Sequence, residues 1–238
     1  MIGKKQHKRR FLLIVGMILL FFTILVAVSA YRGATALRVT EYTISCDVSD
    51  ALRIVQLTDL HSREFGEGNE RLIHQVTEQK PDLIFMTGDM LDNGDAGPEV
   101  VLGLIRELSK IAPVYYGHGN HERQWEKKNG ILLAPLLTEA GATVLDCSYA
   151  DVTVNGQELR IGGYYGYYRV PHMTQNDPTA QEAENTFFDE YEDTDRLKLL
   201  LCHIPTAWLD WNYIDKYPVD IVFSGYYHGG MIRIPFVG

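Results

Sequence analysis

Acidic, histidine and asparagine side chains recur in this sequence directly after short apolar runs. Five motifs follow one another: "DLH" with Asp59 and His61, "GDMLD" with Asp89 and Asp92, "GNHE" with Asn120 and His121, "CHIP" with His203, and "GYYHGG" with His228. Carboxylate, imidazole and amide oxygen without thiolate are typical donors for Mn²⁺, Fe or Zn²⁺ in enzymes, whereas structural zinc sites favour cysteine. These motifs therefore predict a metal centre with a catalytic use.

The number of these donors is too large for a single ion. Two divalent ions about 3.5–4 Å apart, bridged by a carboxylate, can generate a hydroxide and clamp a phosphoryl group for in-line attack. We therefore expect a dinuclear centre for phosphoester hydrolysis, with two Mn²⁺ ions as the first choice and Fe or Zn²⁺ as alternatives.

The motifs end apolar runs that have the length and composition of buried strands. The runs are residues 52–59, 82–89, 113–120, 197–203 and 219–225. Other segments predict helices near residues 69–79, 97–111, 122–140 and 206–216, and an Asn-Gly turn predicts a hairpin over 152–164. Residues 176–195 predict an acidic amphipathic helix with Phe187 and Phe188 on its inward face. This alternation indicates an α/β domain. Because ligands of open α/β sheets bind beyond the carboxyl ends of the strands, the motifs should converge there.

In this order, the five motifs resemble the signatures of the calcineurin-like metallophosphoesterase superfamily. The resemblance spans residues 53–233, and it is closest to a membrane-anchored bacterial branch. It implies a sandwich of two mixed β-sheets packed face to face with helices outside (α/β/β/α). It also implies a hydrolase that cleaves a phosphate ester or a pyrophosphate bond.

The resemblance further implies a role for each motif residue. Six side chains would hold the metals: Asp59, His61 and His228 on the first ion, Asp89 as the bridge, and Asn120 and His203 on the second. His121 would donate a proton to the leaving oxygen, which as an alkoxide needs a positioned acid. Asp92 would orient His121 through its other ring nitrogen, as a residue behind the ligands.

Two features of the sequence depart from the family pattern. The last family motif reads Gly-His-x-His, and Tyr226 replaces its first histidine. A neutral phenol with a pKa of about 10 is a poor ligand unless the metal displaces its proton, and tyrosinate suits ferric iron better than Mn²⁺. Family members also continue for several strands beyond this chain's last residue, Gly238. We expect a weakened second metal site and missing C-terminal strands. The alternative is a membrane-tethered relic that binds but does not turn over.

The N-terminal residues predict a membrane anchor. Residues 1–10 carry five basic side chains and no acid, and residues 11–31 contain twenty uncharged residues before Tyr31. Such a helix spans about 30 Å, and its basic flank favours a cytoplasmic N-terminus with the rest outside the cytoplasm. Residues 32–50 would be a linker and first strand, and residues 51–238 the phosphoesterase domain. A cleavable signal peptide is the alternative interpretation.

The remaining chain is acidic. Without the five N-terminal basic residues, 17 of the 22 Lys and Arg stand against 31 Asp and Glu, which leaves a balance of −14. This charge argues against a nucleic-acid partner bound through a basic patch. It requires bound metal to supply positive charge for a phosphate substrate. The anchor and the family resemblance favour a lipid or cell-envelope phosphate ester, and the sequence leaves the oligomeric state open.

Overall fold

Alternating strands and helices are found in the computed structural model, which describes residues 2–46, 50–95, 97–166, 178–209 and 213–228. Within these ranges the strands are Ile54–Leu57 (β1), Leu83–Met86 (β2), Val114–Gly117 (β3), Ala142–Leu145 (β4), Ser148–Val154 (β5), Gln157–Gly163 (β6), Leu197–Leu201 (β7) and Ile221–Phe223 (β8). The α-helices are Ile2–Thr35 (α1), Glu70–Gln79 (α2), Glu99–Leu108 (α3), Asn120–Asn129 (α4), Ala134–Glu139 (α5), Pro178–Glu192 (α6), Thr206–Leu209 (α7) and Tyr213–Lys216 (α8). The predicted α/β class is confirmed.

Internal contacts divide the chain into two units, Met1–Thr43 and Ile44–Gly238. The first unit contains α1, in which Arg9–Ser29 has a mean hydropathy of 3.1 and no buried part. By length and composition, this helix is a signal sequence or a membrane anchor. The second unit contains both sheets. The predicted boundaries after residues 10, 31 and 50 stay predictions.

The first sheet has the strand order β1-β2-β3-β4, and all of its neighbouring strands are parallel. Parallel neighbours need a crossover connection, which α2, α3 and the pair α4 and α5 supply. The prediction of two mixed sheets is therefore wrong for this sheet, because among the described residues a helix, never a hairpin, separates successive strands. β4 was not predicted because it is only partly buried and lacks the continuous apolar run that marks the fully buried β2 and β3.

The second sheet has the order β5-β6-β7-β8 and is mixed, as predicted. β5 and β6 form the expected antiparallel hairpin, while β6, β7 and β8 are parallel neighbours. The residues of β7 alternate between two cores because successive side chains of a strand point to opposite faces. Leu199 and Leu201 belong to the core shared with the first sheet, and Leu200 belongs to the core that includes Phe187 and Phe188 of α6.

The core between the sheets explains why they pack face to face. It collects buried side chains from β2, β3, β4, β6 and β7: Leu83, Phe85, Tyr115, Leu145, Leu159, Ile161, Leu199 and Leu201. Burying a large apolar side chain contributes about 1.5–3 kcal/mol, so this layer contributes strongly to holding the two sheets together. The sandwich places the carboxyl ends of β1, β2, β3, β7 and β8 in one region.

Two further expectations are resolved by the described residues. The helix predicted over residues 122–140 is two helices, because Gly130 ends α4 with a left-handed φ of 68° and Pro135 begins the next turn. Phe187 and Phe188 of α6 are buried, as predicted for this acidic helix. The expectation about missing C-terminal strands falls on residues 229–238, which lie outside the described residues.

Candidate metal centre

Loops that leave the carboxyl ends of five strands carry the predicted site residues. The structure brings most of these side chains into three groups, in each of which the possible ligand atoms lie within 4.8 Å of one another: Asp59, His61 and His228; Asp59, Asp89 and His203; and His61, Asp92 and His121. Asp59 and His61 each belong to two groups, so the three form one continuous site. Asn120 is the first residue of α4 and lies next to His121.

The loops that carry the site are bonded to one another through the main chain. The N–H groups of Asp59 and His61 donate to the carbonyls of Gly88 and Asp89, at 3.1 and 3.0 Å. The loop before α4 comes just as close, because a Cβ atom at Gly119 would lie 2.3 Å from the main-chain nitrogen of Asp89. Only glycine permits this approach. The close approach of these two loops therefore explains why glycine occupies its positions in "GDMLD" and "GNHE".

The first group has the spacing of a metal site. The Nε2 atoms of His61 and His228 lie 3.4 Å apart, with their rings stacked at an interplanar angle of 8°. Nε2 of His228 lies 3.5 Å from Oδ1 of Asp59. Ligand atoms about 2.1 Å from a shared tetrahedral ion are about 3.4 Å apart. Both measured distances match this spacing, so these three side chains are a candidate site for one divalent ion.

The second group is more deeply buried. The side chains of His203 and Asp89 are 0% and 3% exposed, and Nε2 of His203 lies 3.2 Å from Oδ2 of Asp89. Nδ1 of His203 lies 2.8 Å from the carbonyl oxygen of Thr87, to which it can donate its proton. This contact leaves the lone pair of Nε2 aimed at a carboxylate, which is the arrangement of a metal-ligating histidine.

Two buried atoms in this part of the site make no hydrogen bond among the described residues: Oδ1 of Asn120, and Nε2 of His203, which faces the Asp89 carboxylate at 3.2 Å without the geometry of a hydrogen bond. An unsatisfied buried polar atom costs about 1–3 kcal/mol, so native proteins rarely leave one unexplained. A divalent cation beside Asp89 would give Nε2 of His203 a partner, and Oδ1 of Asn120 is a further unpaired oxygen for such an ion. The second group therefore also fits a metal ion.

The pKa shifts in the site reflect its burial and its charges. Burial lowers the pKa of His61, and the neighbouring His121 adds to this effect, which favours the neutral imidazole that metals bind. Burial by itself would raise the pKa of Asp89, but the His203 ring outweighs it and lowers the value. Burial likewise opposes the charged form of His203, yet Asp89 raises its pKa.

His121 lies on the more open side of the site, with 23% of its side chain exposed. Its Nδ1 accepts the main-chain N–H of Asn93 at 3.2 Å, so the neutral ring carries its proton on Nε2. That Nε2 is 3.9 Å from Oδ2 of Asp89. A carboxylate oxygen of Asp92 lies within 4.8 Å of ring nitrogens of His61 and His121. The role of Asp92 in orienting His121 stays a prediction.

Tyr226 stands where the family pattern has a histidine, and it lies inside the site. Its main-chain N–H donates to both carboxylate oxygens of Asp59, at 3.1 and 3.2 Å. Its ring meets the ring of His203 edge-on, with centroids 5.8 Å apart. The main chain of Tyr226 therefore holds Asp59 in place, while its ring borders the second group.

Left-handed main-chain conformations are concentrated in this region. Six non-glycine residues of the site have positive φ angles: Asp59, His61, Ser62, Asp89, Tyr226 and His228. Each such conformation costs energy and persists only where the surroundings hold it, as is common at functional sites. An open cleft of about 340 Å³, lined in part by Asp59 and His228, gives solvent and substrates access to the first group.

Sequence reasoning missed the residues that hold these loops from behind. Oγ of Ser62 accepts the N–H of Asp92 at 3.1 Å, and the N–H of Asn93 positions His121. Glu122 is fully buried and accepts hydrogen bonds from both the Asp89 loop and the loop before α4. Glu122 lies three residues after Gly119, which is the spacing of a helix-capping pattern. In the sequence, this pattern accounts for Glu122 only as part of the start of α4.

Imidazoles and carboxylates that converge at the strand ends of two facing sheets define a metal-binding hydrolase site. Comparison with known proteins gives its family. The family model of calcineurin-like phosphoesterases matches residues 52–229. The chain belongs to this family of metal-dependent phosphoesterases.

Two relatives in sequence agree with this assignment. The chain is 30% identical over 217 residues to the metallophosphoesterase YkuE of Bacillus subtilis, covering 87% of this chain and 70% of the relative. It is 26% identical over 195 residues to the phosphodiesterase YaeI of Escherichia coli, covering 81% and 66%. The solved structure of the phosphopantetheinyl hydrolase PptH of Mycobacterium tuberculosis aligns with a TM-score of 0.45 at 15% identity, covering 64% of this chain and 68% of that one.

Proposed function

We propose that this protein hydrolyses a phosphate ester or a pyrophosphate bond at a dinuclear centre of two divalent ions, with Mn²⁺ as the first choice. The observation that carries the proposal is the buried second group. There, Oδ1 of Asn120 has no hydrogen bond among the described residues, and Nε2 of His203 faces the Asp89 carboxylate at 3.2 Å without the geometry of a hydrogen bond. A cation beside Asp89 would give these atoms a partner, and the first group would hold a second cation at the mouth of the cleft.

The proposed ligands start from the first two groups, with Asp89 as the bridge and Asn120 added as the family resemblance implies. Asp59, His61 and His228 would hold the first ion, Asp89 would bridge, and Asn120 and His203 would hold the second ion. When bound, the ions supply Lewis acidity and positive charge toward a phosphoryl group. The protein side chains fix the spacing of the ligands, and the buried face of the second group keeps water away from Asp89 and His203.

His121 would protonate the leaving oxygen. Because Nδ1 accepts the N–H of Asn93, the transferable proton is on Nε2, which faces the side of the site that carries Asp89. A positioned acid is needed when an alkoxide leaves, and such an acid contributes about 10²–10⁴-fold to the rate. Asp92 would support the orientation of this ring.

The substrate would be a phosphate ester of a lipid or of the cell envelope. In this proposal α1 is a membrane anchor of the kind found in a membrane-anchored bacterial branch of the family. Its basic flank stays in the cytoplasm, so the domain works outside it. The tether would keep the cleft near lipid substrates, and the acidic balance of the domain disfavours nucleic acid.

The test uses the full chain in detergent micelles with Mn²⁺. We expect hydrolysis of bis(p-nitrophenyl) phosphate, and a higher kcat/KM for a phospholipid ester in mixed micelles than for a soluble nucleotide. The same chain treated with EDTA is the control and should be inactive. Turnover of soluble nucleotides alone would contradict the lipid substrate, and no turnover of any ester would contradict the phosphoesterase.

A catalytically impaired binding module is the second candidate, because Tyr226 borders the second group in place of a histidine. The substitution Tyr226→His restores a neutral nitrogen donor at this position. We expect it to strengthen Mn²⁺ binding at the weaker site by about tenfold or more, as the gain of a metal-supporting group would. Calorimetric titration of both chains with Mn²⁺ measures the effect.

The activities of the two chains separate the candidates. Tyr227→His, which introduces the same side chain one residue further on, is the matched control and should leave Mn²⁺ affinity unchanged. If the natural chain is active, tyrosine is compatible with the enzyme. Activity in the Tyr226→His chain alone would instead make the natural protein the impaired module.

A further inference from the structure

Among the described residues, Glu122 accepts more hydrogen bonds than any other acidic side chain near the site. None of these bonds comes from the side chain of a candidate metal ligand. It lies in the first turn of α4 and is 0% exposed. Its carboxylate accepts five hydrogen bonds, four of them from main-chain N–H groups. A buried carboxylate is costly unless such donors surround it, so this arrangement has a definite structural purpose.

The five donors come from two different loops and one strand. On one oxygen, Oε2, the N–H groups of Asp89 and Gly119 donate at 2.9 and 2.8 Å. On the other, Oε1, the N–H groups of Met90 and Leu91 donate at 2.8 and 3.1 Å. The hydroxyl of Tyr116 in β3 donates to Oε1 at 2.8 Å. One side chain therefore ties the loop after β2 to the loop after β3.

This connection has a direct consequence for Asp89. The residue has a left-handed φ of 51°, and its own N–H is bonded to Glu122. Two following N–H groups are bonded to the same carboxylate, which fixes the turn that directs the Asp89 side chain toward His203. The N–H of His121 in turn donates to Oδ1 of Asp89 at 2.8 Å. The position of the Asp89 carboxylate thus depends on both ends of this connection.

We infer that Glu122 is a positioning residue of the metal centre: by accepting hydrogen bonds from the Asp89 loop and from Gly119, it sets the separation of the two loops that carry Asp89, Asn120 and His121. The inference rests on the proposed function, in which these residues hold the ions and the proton. It assigns to Glu122 a role in metal affinity in addition to its part in the start of α4.

Replacement by glutamine gives a test with nearly unchanged shape. Each carboxylate oxygen of Glu122 faces at least two donors, so either orientation of the amide would place an NH₂ group against N–H groups. Glu122→Gln must therefore break the connection on one side or the other. A substitution of similar size elsewhere on the helix would not.

The matched control is Glu126→Gln, one turn later on α4. Glu126 is also buried, at 9% exposure, and its Oε1 accepts the N–H of Leu133 at 2.8 Å. Its Oε2 lies 3.3 Å from a guanidinium nitrogen of Arg123. Glu126→Gln thus removes a buried carboxylate of the same helix without touching the Asp89 loop.

The experiment compares the full-length wild type and both variants in detergent. In the metal-free proteins, hydrogen exchange is measured for the segment that contains Asp89, Met90 and Leu91; Mn²⁺ affinity is then measured by calorimetry. We expect Glu122→Gln to lose protection in this segment and at least about tenfold in Mn²⁺ affinity, as for loss of a group that orients ligands. Glu126→Gln should keep both within about twofold, although its thermal midpoint also falls.

Three results would decide the inference. Unchanged Mn²⁺ affinity and exchange in a folded Glu122→Gln protein would overturn it, and so would an equal loss of affinity in Glu126→Gln. If Glu122→Gln does not fold, Tyr116→Phe removes one of the five donors and should weaken Mn²⁺ binding about threefold; unchanged affinity there would overturn the inference. A wild type that binds Mn²⁺ but cleaves no ester would contradict only the proposed hydrolysis, since these readouts need no turnover.

Discussion

Replacing Asp89 with asparagine should reduce kcat/KM for phosphoester hydrolysis by at least about 10³-fold, because a metal centre contributes several kcal/mol of transition-state stabilisation. Asp89 is the carboxylate that we propose as the bridge between the two ions. Its Oδ2 lies 3.2 Å from Nε2 of His203, and its Oδ1 accepts the N–H of His121. An amide removes the negative charge between the two cations and also presents an NH₂ group to one of these neighbours.

The control for this prediction lies at the other end of the same strand. Asp82 precedes β2, and its two oxygens accept hydrogen bonds from the N–H of Arg53 and the side-chain amide of Asn155. Asp82→Asn should leave kcat/KM within about twofold while lowering stability slightly. Kinetics with saturating Mn²⁺ compare the two variants. Hydrolysis by Asp89→Asn within tenfold of the wild type would contradict its role as the bridge.

Replacing His121 with glutamine should have the second largest effect, and its size should depend on the leaving group. A general acid contributes about 10²–10⁴-fold when the leaving oxygen needs a proton. We therefore expect a loss of this size for an alkyl phosphate ester. A p-nitrophenyl ester releases a stable anion, so its hydrolysis should be much less affected. Mn²⁺ affinity should not change, because His121 is not a proposed ligand.

A surface histidine provides the matched control for this experiment. His74 lies on α2 with 69% of its side chain exposed, and its Nδ1 lies 3.7 Å from Oε2 of Glu78 on the same helix. His74→Gln should leave the rates for both esters unchanged. An equal loss for both esters in His121→Gln would contradict proton donation and would indicate that the ring acts only on substrate binding or on the metals.

The sequence predicts those parts of the fold that depend on residues close to one another along the chain. The hairpin of β5 and β6 follows from its Asn-Gly turn and alternating residues, and Phe187 and Phe188 follow from the amphipathic pattern of α6. The parallel arrangement of the first sheet was not predicted. Strand direction depends on the crossover connections between strands, and the family resemblance implied only that both sheets are mixed. The division of the helix at Gly130 was missed because Pro135 was not weighed as a helix start.

The site divides in the same way. Side chains that could be ligands were identifiable, because histidine and carboxylate at strand ends are visible in the sequence. The residues that hold them were not, since their partners are main-chain N–H groups that every residue except proline supplies. Glu122 bonds to Asp89 across 33 positions, and His121 receives its hydrogen bond from the main chain of Asn93. Such contacts exist only once the loops after β2 and β3 meet.

The number of ions bound per chain tests the central claim most directly. Metal analysis and calorimetry of the full chain in detergent at saturating Mn²⁺ give this number, and Asp89→Asn provides the reference. The dinuclear account predicts two Mn²⁺ ions per wild-type chain, the second weaker because Tyr226 replaces a histidine, and fewer in the variant. One ion or none in the wild type at saturation would contradict the dinuclear centre and favour the impaired binding module.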